Sequence, residues 1–76
     1  MRQEYSEECF PILRDFLGYM EVVKGRSTGT VENYFADLRV FFRYIKQLRG
    51  LVPAAMPEEE IPIQDIDIDL IRSITL

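Results

Sequence analysis

The sequence predicts a small all-α domain built as a helical bundle. Two stretches repeat apolar residues at spacings of three and four, which places them on one face of a helix. A third stretch partly alternates as a strand would, but the sequence offers no second strand to pair with it. Hydrophobic residues make up 47% of the 76 residues, a share typical of a folded domain with one small core.

The first predicted helix lies between about Tyr5 and Lys24. Its beginning has two interpretations: Ser6 could cap a helix near the N-terminus, or Pro11 could occupy the first turn, where proline is favoured. We favour a broken first turn followed by a regular helix from Pro11. Gly25 is expected to end it. The apolar positions are Phe10, Leu13, Phe16, Leu17, Met20 and Val23.

The second predicted helix spans about residues 28–49 and has the strongest pattern in the sequence. Ser27 is suited to cap its N-terminus, and Gly50 follows its end, where a left-handed residue is favoured. Val40 and Tyr44 lie opposite its apolar stripe, so we expect a central helix that is covered from two directions. The stripe consists of Val31, Tyr34, Phe35, Leu38, Phe41, Phe42, Ile45 and Leu48.

A loop and a third helix are predicted for the remainder. Three prolines and an acidic run interrupt any periodicity over residues 51–62. The isoleucines that follow partly alternate, yet Asp67 can cap a helix in which Ile68, Ile71 and Ile74 recur at helical spacing. We therefore predict a third helix from about Ile68.

Charge is unevenly distributed along the chain. The net charge of −4 argues at first against a nucleic-acid partner, but residues 24–49 carry six basic and only two acidic side chains. The rest of the chain carries three basic and eleven acidic side chains. Phosphates respond to a local patch more than to the total charge, although a solvated helix face would also explain this pattern.

Catalytic and metal-binding chemistry has little support in the composition. Histidine is absent, and the single cysteine, Cys9, is expected to be a small apolar residue. No nucleophile–base pair or phosphate-binding loop is present, and Asp65, Asp67 and Asp69 lack the other features of a calcium loop. We therefore expect no enzyme activity, cofactor or metal. No signal peptide or membrane-spanning segment is recognisable, which favours a cytoplasmic protein.

The start of the second helix is the candidate binding site. A helix N-terminus presents free N–H groups and a partial positive charge, and the side chains here are small and hydrogen-bonding. Capping alone would explain Ser27 and Thr30 but not Asn33 or the basic flank, so nucleic-acid binding and a plain helical scaffold both remain open. The candidate nucleic-acid-binding residues are Arg26, Ser27, Thr28, Thr30, Asn33, Arg39 and Arg43.

The chain resembles the N-terminal core-binding (SAM-like) domain of tyrosine recombinases, which include phage-type integrases and Xer-like recombinases. The likeness lies in the stretch FLGYMEVVKGRSTGTVENYFADLRVFFRYI. The family pattern Ser-x-x-Thr-x-x-x-Tyr-x-x-Asp-Leu falls in register on Ser27, Thr30, Tyr34, Asp37 and Leu38. The tail resembles the next family element, in which an isoleucine–aspartate pair introduces the third helix.

The resemblance implies a small orthogonal, SAM-like bundle of four helices, three of which this chain would contain. Residues 1–76 would form the core-binding DNA-binding domain, end before its last helix and lack the catalytic domain. The partners would be double-stranded DNA, approached by the start of the second helix, and other recombinase protomers in the parent protein. We also expect the isolated fragment to form a homodimer through uncovered apolar surface. The alternative is a helical interaction module that docks a partner helix.

Overall fold

The computed structural model describes residues 2–74 and is helical, with no strand among them. Helix α1 spans Gln3–Glu8, α2 spans Pro11–Val22, α3 spans Thr28–Leu48 and α4 spans Ile68–Ile74, with a short 3-10 turn at Glu58–Glu60. The all-α prediction and the three predicted helices are confirmed. Helix α1 is an addition to them. No helix of the described residues is long and apolar enough to cross a membrane.

The broken start of the first predicted helix is a separate short helix. Ser6 lies inside α1 and does not cap it, because Arg2 occupies the N-cap position. Phe10 is extended, with φ −72° and ψ 157°, and α2 begins at Pro11. The steric restriction that proline places on the preceding residue explains this break between α1 and α2.

Local chemistry sets the ends of the other helices as predicted. The Ser27 side chain accepts a hydrogen bond from the Thr30 N–H at 3.1 Å and caps α3. Asp67 accepts from the Leu70 N–H at 3.0 Å at the start of α4. Gly25 and Gly50 have φ of 66° and 71°, the left-handed conformation expected after α2 and α3.

The core lies between α2, α3 and the loop that precedes α4. The loop isoleucines Ile61, Ile63 and Ile66 are buried, although this segment has no helix to place them. Rings pack in pairs across the core: Phe10 meets Phe42 edge-on at a centroid distance of 5.0 Å. The main buried cluster consists of Cys9, Phe10, Leu13, Leu17, Val31, Phe35, Ile63 and Ile66.

The apolar stripe of α3 is narrower than predicted. Tyr34, Phe41 and Leu48 are 40%, 42% and 63% exposed, so they do not belong to the core. The expectation that α3 is covered from two directions is wrong within residues 2–74, since Val40 and Tyr44 are also exposed. The reason is that α2 packs against the apolar stripe of α3, whereas Val40 and Tyr44 lie on the other side, which the described residues leave uncovered.

Candidate nucleic-acid interface

The N-terminal end of α3 presents a small, polar surface to solvent. Thr28, Gly29 and Asn33 are exposed, and Thr30 is half-buried. The Ser27 hydroxyl donates to Thr30 Oγ1 at 2.9 Å, so these two hydroxyls are engaged with each other in the cap. The first N–H groups of a helix have no carbonyl partner within that helix. Unsatisfied donors and short side chains therefore face outward here.

Two cations adjoin this end from the turn between α2 and α3. Arg26 is exposed, and its backbone N–H donates to the Met20 carbonyl at 3.0 Å, which fixes the path of the turn. The Lys24 ammonium lies 5.9 Å from the centroid of the Tyr19 ring. The turn thus carries two positive charges, of which Arg26 directly precedes the N-cap of α3 and Lys24 lies against Tyr19 of α2.

Arg43 is bound inside the domain. Its Nε donates to the Ile61 carbonyl at 3.0 Å and its Nη2 donates to Glu8 Oε1 at 3.1 Å. The Arg43 side chain is only 11% exposed. Arg43 therefore links α3 to α1 and to the loop before α4.

Arg39 lies on α3 one helical turn before Arg43. Its Nη1 is 3.5 Å from Glu8 Oε2, and its guanidinium lies 5.1 Å from the centroid of the Phe35 ring. Residue 39 is about 16 Å along the helix from Thr28, at 1.5 Å per residue. The structure thus does not group Arg39 and Arg43 with the polar N-terminal end of α3. No observation tests the sequence-based expectation that they contact DNA, and the internal bonds of Arg43 favour a structural role for that residue.

Lys46 near the end of α3 and Arg49 directly after it have internal partners too. Lys46 is buried, and its Nζ donates to the Pro62 carbonyl and to Asp65 Oδ1, the latter at 2.7 Å. Arg49 Nη2 donates to the Ser73 carbonyl at 3.0 Å, near the C-terminal end of α4. The basic patch inferred from the sequence is thus divided. Most of its charges serve the fold, and Lys24 and Arg26 remain near the candidate interface.

An apolar groove runs along α2 and α3 and was not predicted as a site. One part, of about 280 Å³, has an apolar lining that includes Ile12, Phe16, Phe42 and Ile71. The adjoining part, of about 410 Å³, shares Phe16 and Leu38 with it and extends to Met20 and Tyr34. Phe16 belongs to the apolar pattern of the first predicted helix, and Ile12 lies outside that pattern; both side chains are exposed in the structure.

The buried thiol of Cys9 does not have the properties of a nucleophile. Burial, with a contribution from the Glu8 carboxylate, raises the pKa of Cys9 to about 11. Its Sγ donates to the Tyr5 carbonyl at 3.1 Å. The described part of the chain also contains no group of three acidic, histidine or cysteine side chains that could bind a metal ion.

Comparisons with known proteins agree on one relationship. Residues 13–73 match the family described as phage integrase, N-terminal SAM-like domain. The tyrosine recombinase XerC of Caldanaerobacter subterraneus subsp. tengcongensis is 50% identical over 66 residues, which cover 87% of this chain. The same match covers 19% of that relative, so the chain spans about a fifth of its length. No solved structure matches the chain significantly.

Proposed function

The chain belongs to the family of N-terminal SAM-like domains of phage integrases, and from this premise we propose that it binds double-stranded DNA for a site-specific tyrosine recombinase. The domain of this family is the non-catalytic N-terminal part of such proteins. Residues 1–76 would act as the core-binding domain, and other recombinase protomers would be partners of the parent protein. Such a domain would work in the cytoplasm, beside its DNA.

The N-terminal end of α3 supports this proposal best. Its free N–H groups and the helix dipole favour phosphate, and Arg26 adds a cation beside them. Thr28 and Asn33 are exposed, short and polar, and so they suit hydrogen bonds to phosphates or base edges. Ser27 and Thr30 bond each other, so their first role is to fix the shape of this end.

A salt titration tests the proposal directly. The chain is mixed with a labelled duplex of about three helical turns, and fluorescence anisotropy is recorded at several salt concentrations. We expect binding that weakens steeply with salt, because each phosphate contact releases counterions. Arg26→Gln should lower the slope of log affinity against log salt by about one. Absence of binding at low salt would refute the proposal.

Arg14→Gln is the matched control for Arg26→Gln. Arg14 is exposed on α2, and its charge acts on Cys9 near the beginning of that helix. The substitution removes the same charge as Arg26→Gln but does so away from the turn between α2 and α3. We expect it to leave the salt slope unchanged. An equal effect of both substitutions would mean that net charge, and not the α3 end, governs binding.

The apolar groove supports a second candidate function, the docking of a partner helix. Its lining includes Phe16 and Leu38 in both of its parts, and an apolar surface of this kind is commonly covered by protein. Self-association as a homodimer is the form of docking that needs no other partner. Such binding would depend little on salt, so the same titration separates it from contact with phosphates.

A further inference from the structure

Arg2 reaches α3 from a distant part of the sequence. Its backbone N–H donates to Glu32 Oε2 at 3.2 Å. Its guanidinium lies 5.7 Å from the centroid of the Tyr5 ring, and that ring packs against Phe35 at 5.2 Å. These contacts place Arg2 beside the first turns of α3. Glu32 is four residues after Thr28, and residues at this spacing share one face of a helix.

The guanidinium of Arg2 is held near α3 without a hydrogen bond among residues 2–74. Its Nη1 is 3.7 Å from Glu4 and its Nε is 3.9 Å from Glu32, distances too long for hydrogen bonds. The side chain is 65% exposed, and ion pairs of this kind contribute little. Arg43 is the opposite case, since it is 11% exposed and donates to internal acceptors.

A phosphate would be a better partner for this guanidinium than either carboxylate. Arginine donates two parallel hydrogen bonds to a phosphate, and these charge-assisted bonds are shorter than the contacts Arg2 makes now. The Glu32 side chain is 21% exposed and stands one helical turn from the proposed DNA-facing end. The positive charge of Arg2 offsets the repulsion between Glu32 and a phosphate. The hydrogen bond from the Arg2 backbone N–H to Glu32 keeps Arg2 in place.

We propose that Arg2 is a further DNA-phosphate contact of this domain. The inference rests on the proposed function and adds a residue outside the segment that matches the family, which is residues 13–73. The backbone carbonyl of Arg2 accepts hydrogen bonds from the N–H groups of Tyr5 and Ser6 at the start of α1. A change of the Arg2 side chain leaves those two bonds intact, so its effect on binding is separable from folding.

The test compares Arg2→Gln with the wild-type chain in the anisotropy titration, using the same labelled duplex. We expect the salt slope to fall by about one, as for the loss of one phosphate contact. Arg2→Lys should retain most of the slope, because it keeps the charge. Circular dichroism should show unchanged helix content for both variants. Arg14→Gln, with the same loss of charge on α2, should bind as the wild type does.

Glu32→Gln separates direct contact from neutralisation of Glu32. Glutamine retains an oxygen that accepts from the Arg2 N–H but removes the negative charge. If Arg2 contacts phosphate, the double variant Arg2→Gln, Glu32→Gln has a salt slope about one lower than that of the single variant Glu32→Gln. If Arg2→Gln has no effect there, Arg2 only offsets Glu32 and the inference is wrong. If the single variant Arg2→Gln has the same salt slope as the wild-type chain, the inference about Arg2 is wrong and the proposed function stays intact. If the wild-type chain does not bind DNA at all, the proposed function itself is wrong.

Discussion

Arg43→Met should destabilise the domain and leave its affinity for DNA per folded molecule unchanged. Arg43 donates from α3 to Glu8 of α1 and to the Ile61 carbonyl of the loop. Methionine keeps an unbranched apolar stem of similar length and removes every donor. The substitution therefore tests the hydrogen bonds themselves, with little change in packing.

The expected cost follows from the two shorter bonds, at 3.0 and 3.1 Å. Hydrogen bonds to charged groups contribute about 1.5–3 kcal/mol each, so the low end of that range gives about 3 kcal/mol for the pair. The third bond, 3.4 Å to the Glu59 carbonyl, is too long to add much. Arg43→Met also removes a buried charge, which by itself would stabilise the fold. Because the substitution leaves the Ile61 carbonyl without its donor, this gain does not cancel the loss of the hydrogen bonds.

Thermal and urea unfolding, followed by circular dichroism, measure this cost. A chain of this length is expected to have about 4–11 kcal/mol of stability, so a loss of about 3 kcal/mol is a large fraction. The melting temperature should fall by about 12–24 °C. Arg14→Met is the matched control, since Arg14 is exposed, and it should change stability by less than about 0.5 kcal/mol. A similarly small effect of Arg43→Met, together with a lower salt slope for DNA binding, would show that Arg43 faces DNA and not the loop.

Other measurements test the face assignment, the buried thiol and the groove. Asn33→Ala should weaken DNA binding and change the free energy of unfolding by less than about 0.5 kcal/mol, because Asn33 is exposed. Phe35→Ala should cost about 3–5 kcal/mol in urea unfolding, because its ring is buried. Melting of the fold by Asn33→Ala would contradict the face assignment. The raised pKa of Cys9, about 11 against an ordinary value of 9.0, means that the folded state keeps a proton which the unfolded chain releases first. Stability should therefore fall as the pH rises from about 9 to about 11, and Cys9→Ala, compared in urea at each pH, should remove this part of the fall. Phe16→Ser should weaken the concentration-dependent dimer in sedimentation velocity, and a wild-type chain that stays monomeric at high concentration would contradict that association.

The helices were predictable because their signals are local. Ser27 and Asp67 cap the helices that follow them by accepting N–H bonds three residues away. Gly25 and Gly50 take the left-handed conformation that commonly follows the end of a helix. Nothing beyond a few neighbouring residues is needed to read these features. The exposure of Arg26, Thr28 and Asn33 likewise agrees with the position predicted for the candidate site, although contact with DNA stays a prediction.

The internal roles of the basic residues were not predictable from local pattern. Glu8 and Arg43 are 35 residues apart, and Lys46 and Asp65 are 19 apart. Charge counting over a window of sequence cannot find such partners, because only the folded chain brings them together. The alternation of Ile61, Ile63 and Ile66 had the same limit: it marks apolar positions, but it does not tell a strand from an extended loop packed on α3.

The loop after α3 contains a site that should accept an inserted label. The Met56 N–H donates to the Pro53 carbonyl at 3.0 Å, which closes a turn around the exposed Ala54 and Ala55. Lengthening such a turn costs only about 0.6 kcal/mol for each doubling of its length, while an insertion near Ile61 would displace buried side chains. Helix α3 has 21 residues and is therefore about 30 Å long. A fluorophore or short peptide tag inserted between Ala54 and Ala55 would follow the far end of that helix and report on the domain without obstructing a duplex at its N-terminus.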